Sequence, residues 1–308
     1  MTTLESVAAY RPTHRITLAE LAGPLGLSPM QVRIFQRYHG LAEVRADPDG
    51  TLADLLSNAV SELKELPGRE RDVRYVLYAR TLPAVVPYPV NPLHEVCRRH
   101  GLDRAVAFTV THHACASGLL ALHLAGRLLA AGPAGDALAL VLAGEKRFTP
   151  DAQVQAGVVF GEGSGAALVR ADGERDRLLS YAADVDTELD LDRPDVAVRV
   201  EREYPDRMAA VICTALDRAG VAVDEISLVL PHNVNIASWQ RVCRRLGLSV
   251  DRVLLENVPL LAHTFCADAF LNYRTARDRD LLRPGDRYLV TAAGSARGAT
   301  FSAMVFQH

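Results

Sequence analysis

The chain has 308 residues, 49% of them hydrophobic and 23% charged, and its 34 Lys and Arg against 37 Asp and Glu leave a formal charge of -3. This composition supplies a large core and excludes a disordered chain, and the near balance of charge excludes the broad basic surface of a nucleic-acid-binding protein. Five cysteines (Cys97, Cys115, Cys213, Cys243 and Cys266) are odd in number, widely spaced and without a CxxC pair, so neither a disulfide framework nor a structural zinc site is expected.

The first residues, MTTLESVAAYRPTHR, lack a basic-then-apolar leader, and apolar runs such as ALALVLAG are too short to cross a bilayer. A soluble, cytoplasmic protein without a membrane partner is therefore expected. Short Val, Leu and Ala-rich runs then alternate with segments of helical period: RYVLYAR, PLHEVCRRHGL, AVAFTV, the segment after Cys115, ALALVLAG, GVVFG and GAALVR. The pattern is α/β, and continuous apolar strands argue for a sheet covered on both faces.

The second half repeats this plan. GDALALVLAG begins at Gly135 and GDRYLVTAAG at Gly285; DVRYVLYARTLP from Asp72 matches DEISLVLPHNVN from Asp224; and AVAFTV with the Cys115 helix matches VLLENV followed by AHTFCADAFLNYRTA. Three matches in one order at similar offsets predict a duplicated α/β unit, with halves at 1–172 and 173–308. The charged stretch ADGERDRLLSYAADVDTELDLDRPD is expected to hold the crossover between them.

Duplication brings equivalent loops together. Cys115 sits where the strand AVAFTV gives way to a helix, and a helix N-terminus favours thiolate over thiol. Small neighbours, Ala116, Ser117 and Gly118, leave the sulfur approachable. Taken alone, Cys115 reads equally as one more buried small hydrophobe. In PHNVNIASW, however, His232 follows the apolar strand ISLVL, at a strand end where α/β proteins place ligand and catalytic groups. AHTFCADAF adds His263 and Asp268 ahead of a further helix. For Asp268 the alternative is an N-terminal helix cap. His112, His113, Cys115 and His123 could in principle hold a metal, but adjacent histidines in a strand point to opposite faces, and none is expected.

The stretches ACASGLLAL, GVVFGEGSGAALV, PHNVNIASW, the segment around His263 and the closing GDRYLVTAAGSARGATFSAMVF resemble, over nearly the whole chain, the β-ketoacyl-acyl-carrier-protein synthase III family. The resemblance implies a thiolase-like fold, duplicated halves packed as αβαβα layers, and a homodimer. It implies a condensing enzyme: an acyl thioester of coenzyme A or acyl carrier protein loads Cys115, and a malonyl-type thioester then decarboxylates and attacks, with no permanently bound cofactor. In that scheme Cys115 and the turn Gly294, Ser295, Ala296 form the oxyanion hole, and His232 donates to the thioester carbonyl. Asn235 braces the His232 loop, while Arg147 and Trp239 lie near the pantetheine. The sequence departs where the family has Gly-Asn-Thr, for here stand Ala262, His263 and Thr264. Two histidines suffice for condensation, whereas a histidine backed by Asp268 equally suits acyl transfer to a hydroxyl or amine, and both readings stay open on sequence. Arg297 interrupts what is often a run of glycines.

Overall fold

The aliphatic runs form the strands β1 (Thr2–Tyr10), β2 (His14–Thr17), β3 (Glu43–Ala46), β4 (Val73–Ala79), β5 (Val106–Val110), β6 (Leu138–Gly144), β7 (Val154–Gln155), β8 (Val158–Val159), β9 (Ser164–Arg170), β10 (Arg177–Asp190), β11 (Ile226–Leu230) and β12 (Arg287–Gln307). The helices are α1 (Leu18–Ala22), α2 (Pro29–Ile34), α3 (Leu52–Ser61), α4 (Pro92–Arg99), α5 (Ser117–Ala131), α6 (Pro194–Ala219), α7 (Ile236–Leu246), α8 (Val258–Leu261) and α9 (Asp268–Asp278). The structure, a computed structural model, describes residues 2–308 except 83–85, 133–134, 149–152, 156–157 and 191–193.

The main sheet runs β11-β12-β10-β1-β9-β6-β4-β5. Strand β4 is parallel to β5 and β6, β11 is parallel to β12, and the remaining neighbours are antiparallel. Its two halves join where β1 pairs with β10, Thr2 with Leu178 and Thr3 with Arg177.

Successive side chains on a strand point to opposite faces, so each half of the sheet feeds two cores. On β6, Leu138, Leu140 and Leu142 join Leu55 and Leu56 of α3 and Val96 of α4. Ala139, Val141 and Ala143 face the other way, into a central core with Leu119 and Leu122 of α5 and Phe270 of α9. In the other half, Val290, Met304 and Phe306 enter that same central core, while Leu289 and Val305 pack on Met208 and Ile212 of α6 and Trp239 of α7. The layers are αβαβα, a thiolase-like arrangement with α5 and α9 buried in the middle.

The internal repeat has a local signature at the centre. Cys115 and Cys266 each occupy a short 3₁₀ turn, Ala114–Ala116 and Phe265–Ala267, just ahead of α5 and α9. The residue before each cysteine has a positive φ, 45° at Ala114 and 56° at Phe265, which is uncommon for a side chain larger than glycine. The two turns touch, for the Cys266 thiol donates to the Ala114 carbonyl at 3.3 Å.

Two sequence expectations need correction. Residues 171–195 are not principally a crossover: most of them form β10, which lies between β1 and β12. Its charges are tolerated because Arg207 of α6 reaches Asp184 and Asp186 at 3.2 and 2.6 Å. Nor are all the apolar runs short, since Ala114–Ala131 has the length and hydropathy of a membrane span; most of it is buried in the central layer. Among the described residues no other helix meets that test.

Candidate active site

The loops after β5 and β11, the loop after α8 and the Gly294 stretch of β12 converge on one cavity of about 140 Å³, lined by Cys115, His232, His263 and Gly294 among others. Cys115 is 6% exposed and packs with Phe160 and Phe265. Thr81, on the loop after β4, donates its hydroxyl to the Cys115 sulfur at 3.2 Å. That loop is held by Glu145, the residue after β6, whose carboxylate accepts from the Thr81 N–H and, at 2.9 Å, from the Leu82 N–H. Burial pushes the Glu145 carboxyl up to about 7, against the lowering effect of those hydrogen bonds.

The other wall carries two imidazoles. The Nε2 atoms of His232 and His263 lie 3.2 Å apart, with the rings edge to face at 4.3 Å. His263 turns Nδ1 to Asp268 Oδ2 at 2.6 Å. Asp268 also accepts from the Asn233 N–H at 2.8 Å, and from the N–H and hydroxyl of Thr264 at 2.7 Å each. A carboxylate has about four acceptor positions, so Asp268 is saturated. It is absent from the cavity wall. Its place at the start of α9 therefore serves the loops around it: it ties the His232 loop to the His263 loop and fixes the tautomer of His263.

The electrostatics follow from that arrangement. Burial works against a charged His263, but the charge of Asp268, then Cys115 and the hydrogen bonds to both, more than offset it and hold the imidazole up to about 10. Burial and the neighbouring charge of His263 push His232 down to about 3. Asp268 sits below the ordinary carboxylate range: burial opposes this, and His263 outweighs it by charge and hydrogen bond. Because Nδ1 of His263 is committed to a carboxylate, Nε2 carries a proton only when the ring is charged. The pair can thus present one N–H donor and one neutral imidazole to a group beside the Cys115 sulfur.

Gly294 closes the third side. A β-carbon there would lie 2.1 Å from the His113 carbonyl oxygen and 2.7 Å from the Cys115 nitrogen, so only glycine lets β12 approach the turn bearing the sulfur. Gly294→Ala must displace that backbone. It is expected to slow acylation of Cys115 by about 10²-fold or more, measured as adduct formation against time.

The sequence brought Cys115, His232, His263, Asn235, Gly294 and Ser295 to this cavity. Asn235 caps α7 by accepting from the Ser238 N–H at 2.7 Å. Trp239 is fully buried instead, its indole N–H on the His232 carbonyl at 2.8 Å, so it supports the histidine loop from behind. Arg147 is buried beside Glu162 and Gln153 and does not line the cavity. The side chains of Ala296 and Arg297 lie outside the described residues. His123 stacks on Tyr181 at 4.9 Å, away from Cys115. His232, His263 and Asp268 do place ligand-type atoms within 4.8 Å of one another, yet the Asp268 oxygens and His263 Nδ1 are already committed, leaving two Nε2 atoms.

Sequence reasoning passed over Thr81, Glu145, Phe160 and Tyr204. The first two had a signal, a polar residue within two positions of the end of each of two parallel strands. Tyr204, from α6, had none beyond an amphipathic period.

Known families and proteins match this chain over most of its length. Residues 111–187 match the model of 3-oxoacyl-[acyl-carrier-protein (ACP)] synthase III, and residues 216–308 match the model of its C-terminal region. The chain is 27% identical to the beta-ketoacyl-[acyl-carrier-protein] synthase III of Ruegeria sp. (strain TM1040), over 97% of this chain and 96% of that one. It is 28% identical to the enzyme of the same description from Thermosynechococcus vestitus, over 98% and 96%. The crystal structure of 3-oxoacyl-[acyl-carrier-protein] synthase III from Aquifex aeolicus VF5 superposes with a TM-score of 0.86 at 20% identity, covering both chains fully, and so shares the fold.

Proposed function

The chain belongs to the 3-oxoacyl-[acyl-carrier-protein] synthase III family, and on that premise we propose that it is a condensing enzyme that joins an acyl thioester to a malonyl-type thioester. The observation that carries this reading is the convergence of Cys115, His232 and His263 on one cavity. The Cys115 sulfur attacks the acyl thioester carbonyl, and the tetrahedral oxyanion lies between the Cys115 N–H and the stretch from Gly294 to Ala296, which belongs to strand β12 rather than to the turn expected from sequence. Collapse expels the thiol of coenzyme A or of a carrier-protein pantetheine and leaves the acyl-enzyme.

The second thioester then places its carbonyl at the imidazole pair. Its terminal carboxylate leaves as carbon dioxide, and the electron pair of the broken bond becomes an enolate whose oxygen accepts from the charged His263 and from His232. The enolate carbon attacks the acyl-enzyme carbonyl, the carbon-sulfur bond to Cys115 breaks, and a β-ketoacyl thioester departs. Asp268 takes no part in bond making. It keeps Nδ1 of His263 occupied so that the proton on Nε2 faces the reacting oxygen.

Assembly as a homodimer belongs to this reading. Among the described strands β5 is a sheet edge with Val106 exposed, so a second copy can extend the sheet there, and light scattering should give twice the chain mass. Chemically, the account separates the two half-reactions. His232→Ala should still form the acyl-enzyme, detected by intact mass, while its discharge by a malonyl thioester slows by about 10²-fold or more. Equal slowing of both steps would remove His232 from the second one.

A further inference from the structure

Tyr204 is 8% exposed, lies on the wall of the same cavity, and packs its ring against Phe301 at 5.8 Å. Its hydroxyl is shielded from solvent and meets no hydrogen-bonding group among the described residues. A buried hydroxyl left without a partner is costly, and such groups in functional cavities are kept for a ligand. We propose that Tyr204 is a specificity-determining residue whose hydroxyl donates to a neutral oxygen on the acyl group carried by Cys115, so that this enzyme selects oxygen-bearing acyl thioesters over plain alkyl ones. The inference rests on the condensing reading above.

Three features of the wall narrow the ligand. Burial and the nearby charge of Asp268 both disfavour a phenolate, so the group is a donor. Val200, Val234, Ala299 and Phe301 line the same cavity as Tyr204 and give it apolar wall, while its other polar groups include Glu201, Asn235 and Ser238. Among the described residues no Lys or Arg lines the cavity, and the charged His263 is committed to the second thioester, so a neutral hydroxyl, ether or ketone oxygen suits the phenol better than a retained carboxylate.

The helix holding Tyr204 is fixed from behind. Besides the Arg207 pairs, the Ser180 hydroxyl donates to the Ala215 carbonyl at 2.6 Å, so the phenol is presented on a packed element. Sites built around a buried polar group reject analogues that cannot answer it, whereas a purely apolar pocket discriminates weakly against an added oxygen.

The test pairs coenzyme A thioesters of equal chain length: butyryl against 3-hydroxybutyryl and acetoacetyl, and pentanoyl against 4-hydroxypentanoyl and 3-methoxypropanoyl. Acylation rates of Cys115 are read by intact mass in the unmodified protein and in Tyr204→Phe. The unmodified protein should favour at least one oxygenated member of a pair by about 10-fold or more, and Tyr204→Phe should bring that ratio close to one. Equal or reversed rates in the unmodified protein overturn the proposal whether or not the variant folds, and so does a preference that survives in Tyr204→Phe. Alkyl thioesters loading Cys115 without discrimination would leave the condensing reading intact, whereas absence of any acyl-enzyme with every donor would remove both.

Discussion

Cys115→Ala is expected to abolish the covalent acyl-enzyme and lower turnover by at least about 10⁴-fold, because among the described residues Cys115 is the one thiol lining the cavity. The one competing thiol nearby is Cys266, which shares Thr81 with Cys115: the threonine hydroxyl is 3.2 Å from one sulfur and 3.6 Å from the other. Cys266 does not line the cavity, and its thiol is engaged with the Ala114 carbonyl. Burial, followed by the charges of Glu145 and Cys115, pushes that thiol well up, away from the nucleophilic thiolate. Intact mass after incubation with an acyl thioester checks the expectation. An adduct that persists in Cys115→Ala, or that maps to Cys266, would assign the nucleophile wrongly.

Asp268→Asn should produce the second large effect, and its sign can be worked out. Asp268 raises His263 both by charge and by hydrogen bond. An amide in its place removes the charge, so the imidazole value falls from about 10 toward the ordinary histidine range. With the amide oxygen accepting from Nδ1, the charged ring stays the form with a proton on Nε2, and it is lost as pH rises through that lower value. Condensation in the natural protein should therefore hold steady from about pH 6 to pH 9, whereas in the variant it should decline through neutrality and lie about 10²-fold or more down at pH 8. A uniformly slower variant with no new pH dependence would mean that Asp268 only holds the two loops together.

Part of the cavity wall was legible in the sequence because two of its residues stand in loops that follow apolar strands, and the strands are easy to see. Cys115 and His232 follow β5 and β11, whereas His263 follows the short helix α8, and only the repeat implied that its loop meets theirs. The relation between His263 and Asp268 was harder. Five residues along the chain said nothing of whether the carboxylate faces the substrate or the ring; four donors from three residues settle it in the fold. Trp239 was misleading for a similar reason. Its helix carries Arg241, Arg244 and Arg245, while Ser238, Trp239, Val242 and Cys243 form the buried stripe. The strand β10 was hidden by its charges, since one-sided alternation with aspartates looks like a linker until Arg207 is seen across from it. Tyr204 could not be found at all from periodicity, because an amphipathic helix announces a buried face without saying whether that face meets core or cavity.

The most direct measurement is a single-turnover chase. Cys115 is first loaded with an acyl group, a malonyl thioester labelled in its free carboxylate is added, and the adduct mass and the released carbon dioxide are followed together. The account predicts that each acyl group leaving Cys115 is matched by one carbon dioxide and one β-ketoacyl thioester. Discharge of the adduct without carbon dioxide, onto a hydroxyl, an amine or water, would contradict it.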